Sequence, residues 1–169
     1  MDQTSRPFFY FDRVSNINIA FASIYIIITA AICFSCHNYL PEKMPMLLSI
    51  YAILTQMAFY LFLGKSLQNF SVYTIWLGFS LVHLLMYYFF GGNPYPKSIT
   101  GDPSKCLTST IVLLLLFQIL KYCSLTIQKR EFLILEKSNP KRFSLTDRLV
   151  FVIYMICFGG LTYYHGTHI

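Results

Sequence analysis

Five long apolar runs dominate this chain, and each is bounded by polar or turn-forming residues. A helix needs about 20 residues, within a range of about 17 to 25, to cross the hydrocarbon of a bilayer. The last run is the shortest of the five, which are 17–35, 46–64, 71–90, 107–127 and 149–164. The pattern predicts an all-α, polytopic integral membrane bundle of about five transmembrane helices, or four if the last run lies only at the interface.

The composition agrees with a membrane protein and excludes a soluble domain of this size. Of the 169 residues, 56% are hydrophobic and 12% are charged, and the mean hydropathy is +0.55. So little polar surface is atypical of soluble globular proteins. The two longest connecting segments are an outer loop over 91–106 and an inner basic segment over 128–147. We therefore expect a single transmembrane domain over 1–169, with backbone groups satisfied inside helices.

The basic residues sort by side of the membrane, so the formal net charge of +6 does not predict nucleic-acid binding. Cytoplasmic loops carry an excess of Lys and Arg. This rule predicts a cytoplasmic amino terminus in a cell (inner) membrane. With that orientation, three basic residues lie outside (Lys43, Lys97, Lys105) and ten inside (Arg6, Arg13, Lys65, Lys121, Lys129, Arg130, Lys137, Lys141, Arg142, Arg148).

The inner basic segment is a candidate surface for anionic lipid or for a cytoplasmic partner. Apolar residues alternate with charges over 127–137, which predicts a short helix in the membrane interface. Two aspartates, Asp12 and Asp147, precede predicted spans and are expected to cap the helices that follow. The contact residues expected at the surface are Lys129, Arg130, Lys141 and Arg142.

A Cys-x-x-Cys-His motif ends the first run, at Cys33, Cys36 and His37. This spacing is that of c-type haem attachment. The same thiols, with Cys106 of the outer loop, resemble in layout the small four-helix membrane oxidoreductases that pass electrons from thiols to quinone. Packing is the alternative, because free cysteine is commonly a small buried apolar residue. The outward position of all four histidines leaves a metal site open.

Three polar residues lie at similar depth on three predicted spans, near the bilayer centre: Gln56, His83 and Gln118. Polar groups at this depth usually face the bundle interior and bond across helices. They are therefore a candidate polar cluster, either for helix packing or for a ligand. Asp and Glu are absent from all five runs, which argues against transport coupled to a membrane carboxylate.

Three functions follow from these features. The first is a non-enzymatic membrane component that self-assembles or serves as a subunit of a larger membrane complex, including a small pore-type effector. The second is a redox protein that uses the cysteine motif with haem or quinone. The third is a small lipid-acting enzyme or transporter centred on the polar cluster. The expected partners are the lipid bilayer and copies of this chain or other membrane subunits.

Overall fold

The computed structural model describes residues 8–38, 44–61, 63–90, 103–132 and 144–167. Over these residues the chain is helical, with short non-helical connections. The elements are α1 (Asn16–Asn38), α2 (Met44–Leu61), the short α3 (Gly64–Leu67), α4 (Phe70–Phe90), a 3-10 helix (Pro103–Lys105), α5 (Cys106–Gln128) and α6 (Leu145–Thr167). The prediction of an all-α membrane bundle is confirmed.

Four helices in the described part of the chain are long and apolar enough to cross a membrane. Their apolar spans are Asn16–Ser35, Phe70–Phe90, Cys106–Gln128 and Leu145–His165. Helix α2 is apolar over its described side chains, Met46–Phe59. The last run, which the sequence left open between a span and an interfacial segment, is long enough to cross a membrane. The last run was underestimated because α6 begins four residues before it and continues three residues beyond it.

The bundle is built around α5, which lies against α2, α4 and α6. One face of α5 supplies much of the core, with Leu107, Leu113, Leu114 and Phe117 at most 1% exposed. Side chains of α2 meet this face, including Leu48, Ala52 and Phe59. By contrast, only 17% of the apolar window of α1, and the same share of α6, is buried. These two helices therefore present broad apolar faces to lipid.

A reciprocal hydrogen-bonded cap sets the start of α6. The Ser144 backbone N–H donates to Asp147 Oδ2 at 2.9 Å, and the Asp147 N–H donates to Ser144 Oγ at 3.2 Å. This is the geometry of a capping box, which satisfies two otherwise unpaired donors of the first turn. Asp147 therefore does cap α6, from the third helical position. Its carboxylate also accepts from Arg130 Nη2 at 2.9 Å and from Gln128 Nε2 at 3.0 Å.

The predicted cap at Asp12 is wrong. Helix α1 begins at Asn16, where the Asn18 N–H donates to the Ser15 carbonyl at 3.0 Å. Asp12 lies four residues earlier, and its backbone carbonyl accepts from Asn69 Nδ2 at 3.0 Å. The prediction assumed that the helix follows its aspartate directly, but residues 11–15 are not helical, and the backbone of Asp12 is hydrogen-bonded to the Asn69 side chain.

The predicted interfacial helix over 127–137 does not begin where expected. Helix α5 ends at Gln128, because Lys129 adopts the left-handed conformation with φ 57°, which cannot continue a right-handed helix. Residues 129–132 are not helical. The remainder of this prediction lies outside the described residues, as does the outer loop up to residue 102.

Removing the cap should destabilise α6. We expect Ser144→Ala to cost about 1 kcal/mol, because an N-cap serine contributes roughly that amount and its hydroxyl also donates to Gln128 Oε1 at 2.8 Å. Thermal unfolding in detergent measures the loss. Thr126→Ala is the matched control, since its exposed hydroxyl bonds only the carbonyl of Tyr122 in its own helix. Equal melting temperatures for the two variants would contradict a role for the cap.

Candidate functional site

A chain of hydrogen bonds crosses the middle of the bundle and joins four helices. His83 of α4 lies at its centre, with Nε2 bonded to the Tyr25 hydroxyl of α1 and Nδ1 2.8 Å from Thr110 Oγ1 of α5. Gln56 of α2 donates from Nε2 to the same Thr110 oxygen at 3.1 Å and to the Cys106 carbonyl at 2.8 Å. Each of the four helices contributes one of these polar side chains, and packing brings them together.

Two arrangements of protons are compatible with the donors and acceptors around His83. Gln56 donates to Thr110, so the Thr110 hydroxyl proton is free to reach His83 Nδ1, and Nε2–H then donates to Tyr25. The opposite tautomer, with Nδ1–H donating to Thr110 and Tyr25 donating to Nε2, also satisfies the ring. A neutral imidazole has one donor and one acceptor nitrogen, so both arrangements satisfy the ring, and the first also gives the Thr110 hydroxyl proton an acceptor in His83 Nδ1.

A second hydroxyl pair ties α1 to α2 beside this chain. Thr29 Oγ1 lies 2.5 Å from the Tyr51 hydroxyl and also donates to the Tyr25 carbonyl at 2.7 Å. The Tyr25 and Tyr51 rings stack with centroids 5.8 Å apart. Tyr25 also packs edge-on against Trp76, at 5.1 Å. The polar contacts are therefore enclosed by aromatic rings.

The structure brings together two of the three residues of the predicted polar cluster. Gln56 and His83 share Thr110 as a partner, and each is at most 1% exposed. Gln118 does not join them: its amide nitrogen and oxygen are buried without a hydrogen-bond partner in the described part of the chain. Gln56 and His83 meet α5 at Cys106 and Thr110, near its start. Gln118 lies eight residues beyond Thr110, about 12 Å along the helix axis, so the predicted similar depth is wrong for Gln118.

Tyr25 and Thr110 were missed by the sequence analysis. Both lie within predicted spans, and each is buried, at 8% and 0% exposure. The prediction gave less weight to a hydroxyl in a span than to an amide or an imidazole. However, the bilayer core has no water to hydrogen-bond any of these three groups. Counting every hydroxyl in a span as a candidate would have found them.

The predicted redox motif lies in the last turns of α1, which continues as a helix to Asn38. Cys33 is partly buried against the core, and the side chains of Cys36 and His37 lie outside the described residues. The redox interpretation of this motif stays a prediction.

Cys106, the expected third thiol, begins α5 and is 3% exposed. Its sulfur accepts from Ser49 Oγ at 3.6 Å. In this position Cys106 packs against α2.

A buried lysine lies at the other end of the bundle. Lys121 is in α5, seven residues before the helix ends, or about 10 Å along the axis, and is 1% exposed. Its Nζ donates to the carbonyls of Gln68, at 2.6 Å, and Phe8, at 2.8 Å, and lies 3.4 Å from Glu131 Oε1. The positive-inside pattern assigns Lys121 to the inner surface, although a cation within a predicted span is unusual.

The segment Phe8–Asp12, which we call the strap, is held at this end of the bundle. Lys121 Nζ lies 5.3 Å from the Phe8 ring centroid and 4.8 Å from that of Tyr10. The Tyr10 carbonyl accepts from the Phe70 N–H at 3.0 Å. Lys121 thus joins the strap, the α3–α4 junction and the residues after α5.

Two of the four residues predicted to contact lipid or a partner are described by the structure, and they differ in exposure. Lys129 is exposed, whereas Arg130 is 29% exposed and forms the ion pair with the fully buried Asp147. Lys141 and Arg142 lie outside the described residues. No group of three or more His, Cys, Asp or Glu side chains that could hold a metal ion occurs within the described ranges.

Thr110→Val should destabilise the bundle centre. It removes the one hydroxyl shared by Gln56 and His83 while keeping the side-chain shape. Leaving buried polar groups unpaired costs about 1 to 3 kcal/mol, so we expect earlier unfolding in a denaturing-detergent titration. The matched control is Thr74→Val, because the exposed Thr74 hydroxyl bonds only the Phe70 carbonyl. A midpoint for Thr110→Val equal to that of the control would show that the central chain adds no stability.

Lys121→Met should release the strap. Hydrogen bonds to a charged group contribute about 1.5 to 3 kcal/mol, so trypsin should cut after the exposed Arg13 about tenfold faster or more. The readout is the rate at which a fragment beginning at Val14 appears. Lys129→Met serves as the control, because Lys129 is exposed beyond the end of α5. Equal rates in the two variants would mean that Lys121 does not hold the strap.

Models of known protein families do not match this chain, and neither the curated proteins nor the solved structures searched contain a significant match.

Proposed function

We propose that this protein is a non-enzymatic membrane component that works by assembling with copies of itself. The observation that carries the proposal is the central hydrogen-bonded chain. Its four side chains, Tyr25, Gln56, His83 and Thr110, are at most 8% exposed and are bonded to one another. These four side chains satisfy one another within the bundle, so the hydrogen-bonded network suits helix packing better than catalysis or transport.

The lipid-facing surfaces support assembly. Large apolar side chains are exposed along α6, among them Val152, Ile153, Ile156 and Tyr163. The adjacent glycines, Gly159 and Gly160, are exposed in the same helix. Small residues let transmembrane helices approach closely, and helix association in lipid relies on such packing. The bias of basic residues supports a cell (inner) membrane with the amino terminus in the cytoplasm.

Stoichiometry in a bilayer tests the proposal. We expect single-molecule photobleaching of the fluorescently tagged protein, at low density in liposomes, to give several bleaching steps per spot. Native mass spectrometry should give the matching multiple of the chain mass. Single-step bleaching and a monomer mass would overturn self-assembly, and a mass that includes a stoichiometric foreign subunit would replace it with a role in a mixed complex.

Glycine substitutions locate the interface. A Cβ added at Gly159, Gly160 or Gly78 would meet no atom within 4 Å, so leucine at any of them should leave the monomer fold intact. We expect Gly159→Leu and Gly160→Leu to reduce the number of bleaching steps. Gly78→Leu on α4 is the control and should not. Unchanged steps in both α6 variants would exclude this face of α6.

A further inference from the structure

Helix α1 is attached to the bundle differently from the other long helices. The backbone of α5 lies close to three other helices. The backbone of α1 makes few close approaches, and these are mainly to α2. The side chains that α1 buries include polar ones, Asn18, Tyr25 and Thr29. Ile32 and Cys33 are partly buried against the core, and large apolar side chains are exposed elsewhere along the helix, for example at Ile24, Ile27 and Ile28.

In lipid, the apolar face of a helix gains little by leaving the acyl chains for a protein surface. The attachment of α1 therefore depends on packing and on its polar contacts. Two of these lie within the span, the bond from Tyr25 to His83 and the bond from Thr29 to Tyr51.

The ends of α1 are tethered separately from its middle. On the amino-terminal side the strap is fixed by Lys121, Asn69 and the Phe70 N–H. On the other side only residues 39–43 separate α1 from α2. The middle of the helix can therefore leave the bundle while both ends remain attached.

We propose that α1 is a reversibly docked arm, and that the Tyr25–His83 and Thr29–Tyr51 contacts are the latch that holds it against α2 and α4. Undocking uncovers the polar edge of the bundle at His83 and Tyr51. This device is independent of self-assembly, because it concerns the helices of a single chain.

The single tryptophan of the chain reports on docking without any label. Trp76 is 4% exposed, and the Tyr25 ring packs edge-on against it at 5.1 Å. Acyl chains reach Trp76 when α1 undocks. Lipids brominated at several acyl-chain depths will then quench its fluorescence.

The test compares Thr29→Val and Tyr25→Phe with matched controls in liposomes of brominated and ordinary phosphatidylcholine. Hydrogen bonds between transmembrane helices average about 0.6 and reach about 1.7 kcal/mol, which corresponds to an undocked population about 3- to 18-fold larger. The quenched fraction of Trp76 emission should rise accordingly.

The controls remove the same atoms elsewhere. Thr126→Val loses a hydroxyl that bonds only its own helix, at 2.9 Å from the Tyr122 carbonyl, and Tyr88→Phe loses an exposed one. In both variants, Trp76 fluorescence should be quenched to the same extent as in the unmodified protein. Ser144→Ala weakens α6 instead, so it reports general loosening.

A rise in quenching confined to Thr29→Val and Tyr25→Phe establishes the arm. Unchanged quenching in both variants overturns it. An equal rise in Ser144→Ala also overturns it, because the bundle would then open as one unit. Photobleaching of the same variants reports assembly separately.

Discussion

The need to satisfy polar groups away from water governs this structure. In hydrocarbon an unpaired donor or acceptor has no water to bond, so leaving it without a protein partner is costly. Three separate polar clusters meet this need at different depths: the chain centred on His83, the Lys121 cluster beneath the strap, and the Asp147 cap at the start of α6. Each cluster joins segments that are distant in sequence.

These clusters differ in the charge of their side chains and in the segments that they connect. The His83 chain uses neutral side chains and connects helices side by side. The Lys121 cluster uses a cation with two carbonyls and a carboxylate, and it gathers segments at one end of the bundle. The Asp147 cluster caps the amino-terminal end of α6 and ties it to Arg130. A buried cation or carboxylate is tolerated in each case because several partners surround it, consistent with the high cost of leaving a buried charge unpaired.

The same constraint shapes the functional interpretation. Polar side chains buried in a membrane protein often mark a pathway or a ligand site, and the sequence alone left that open for Gln56 and His83. Their geometry favours packing, since both bond to Thr110 and neither is accessible. The exposed surface of the bundle, especially along α1 and α6, is then the place to look for activity, through contacts with other helices or with lipid.

The sequence by itself determined the class of the protein and the approximate bounds of its long helices, because hydrophobic length is a local property that the bilayer imposes directly. It also pointed to Gln56 and His83, since amides and imidazoles within a span are conspicuous. Only the tertiary structure decided that Thr110 joins them, that Gln118 stays apart, and that Lys121 is buried under the strap. Those outcomes depend on how each helix is rotated about its axis and on which segments pack together, and neither is encoded in hydropathy.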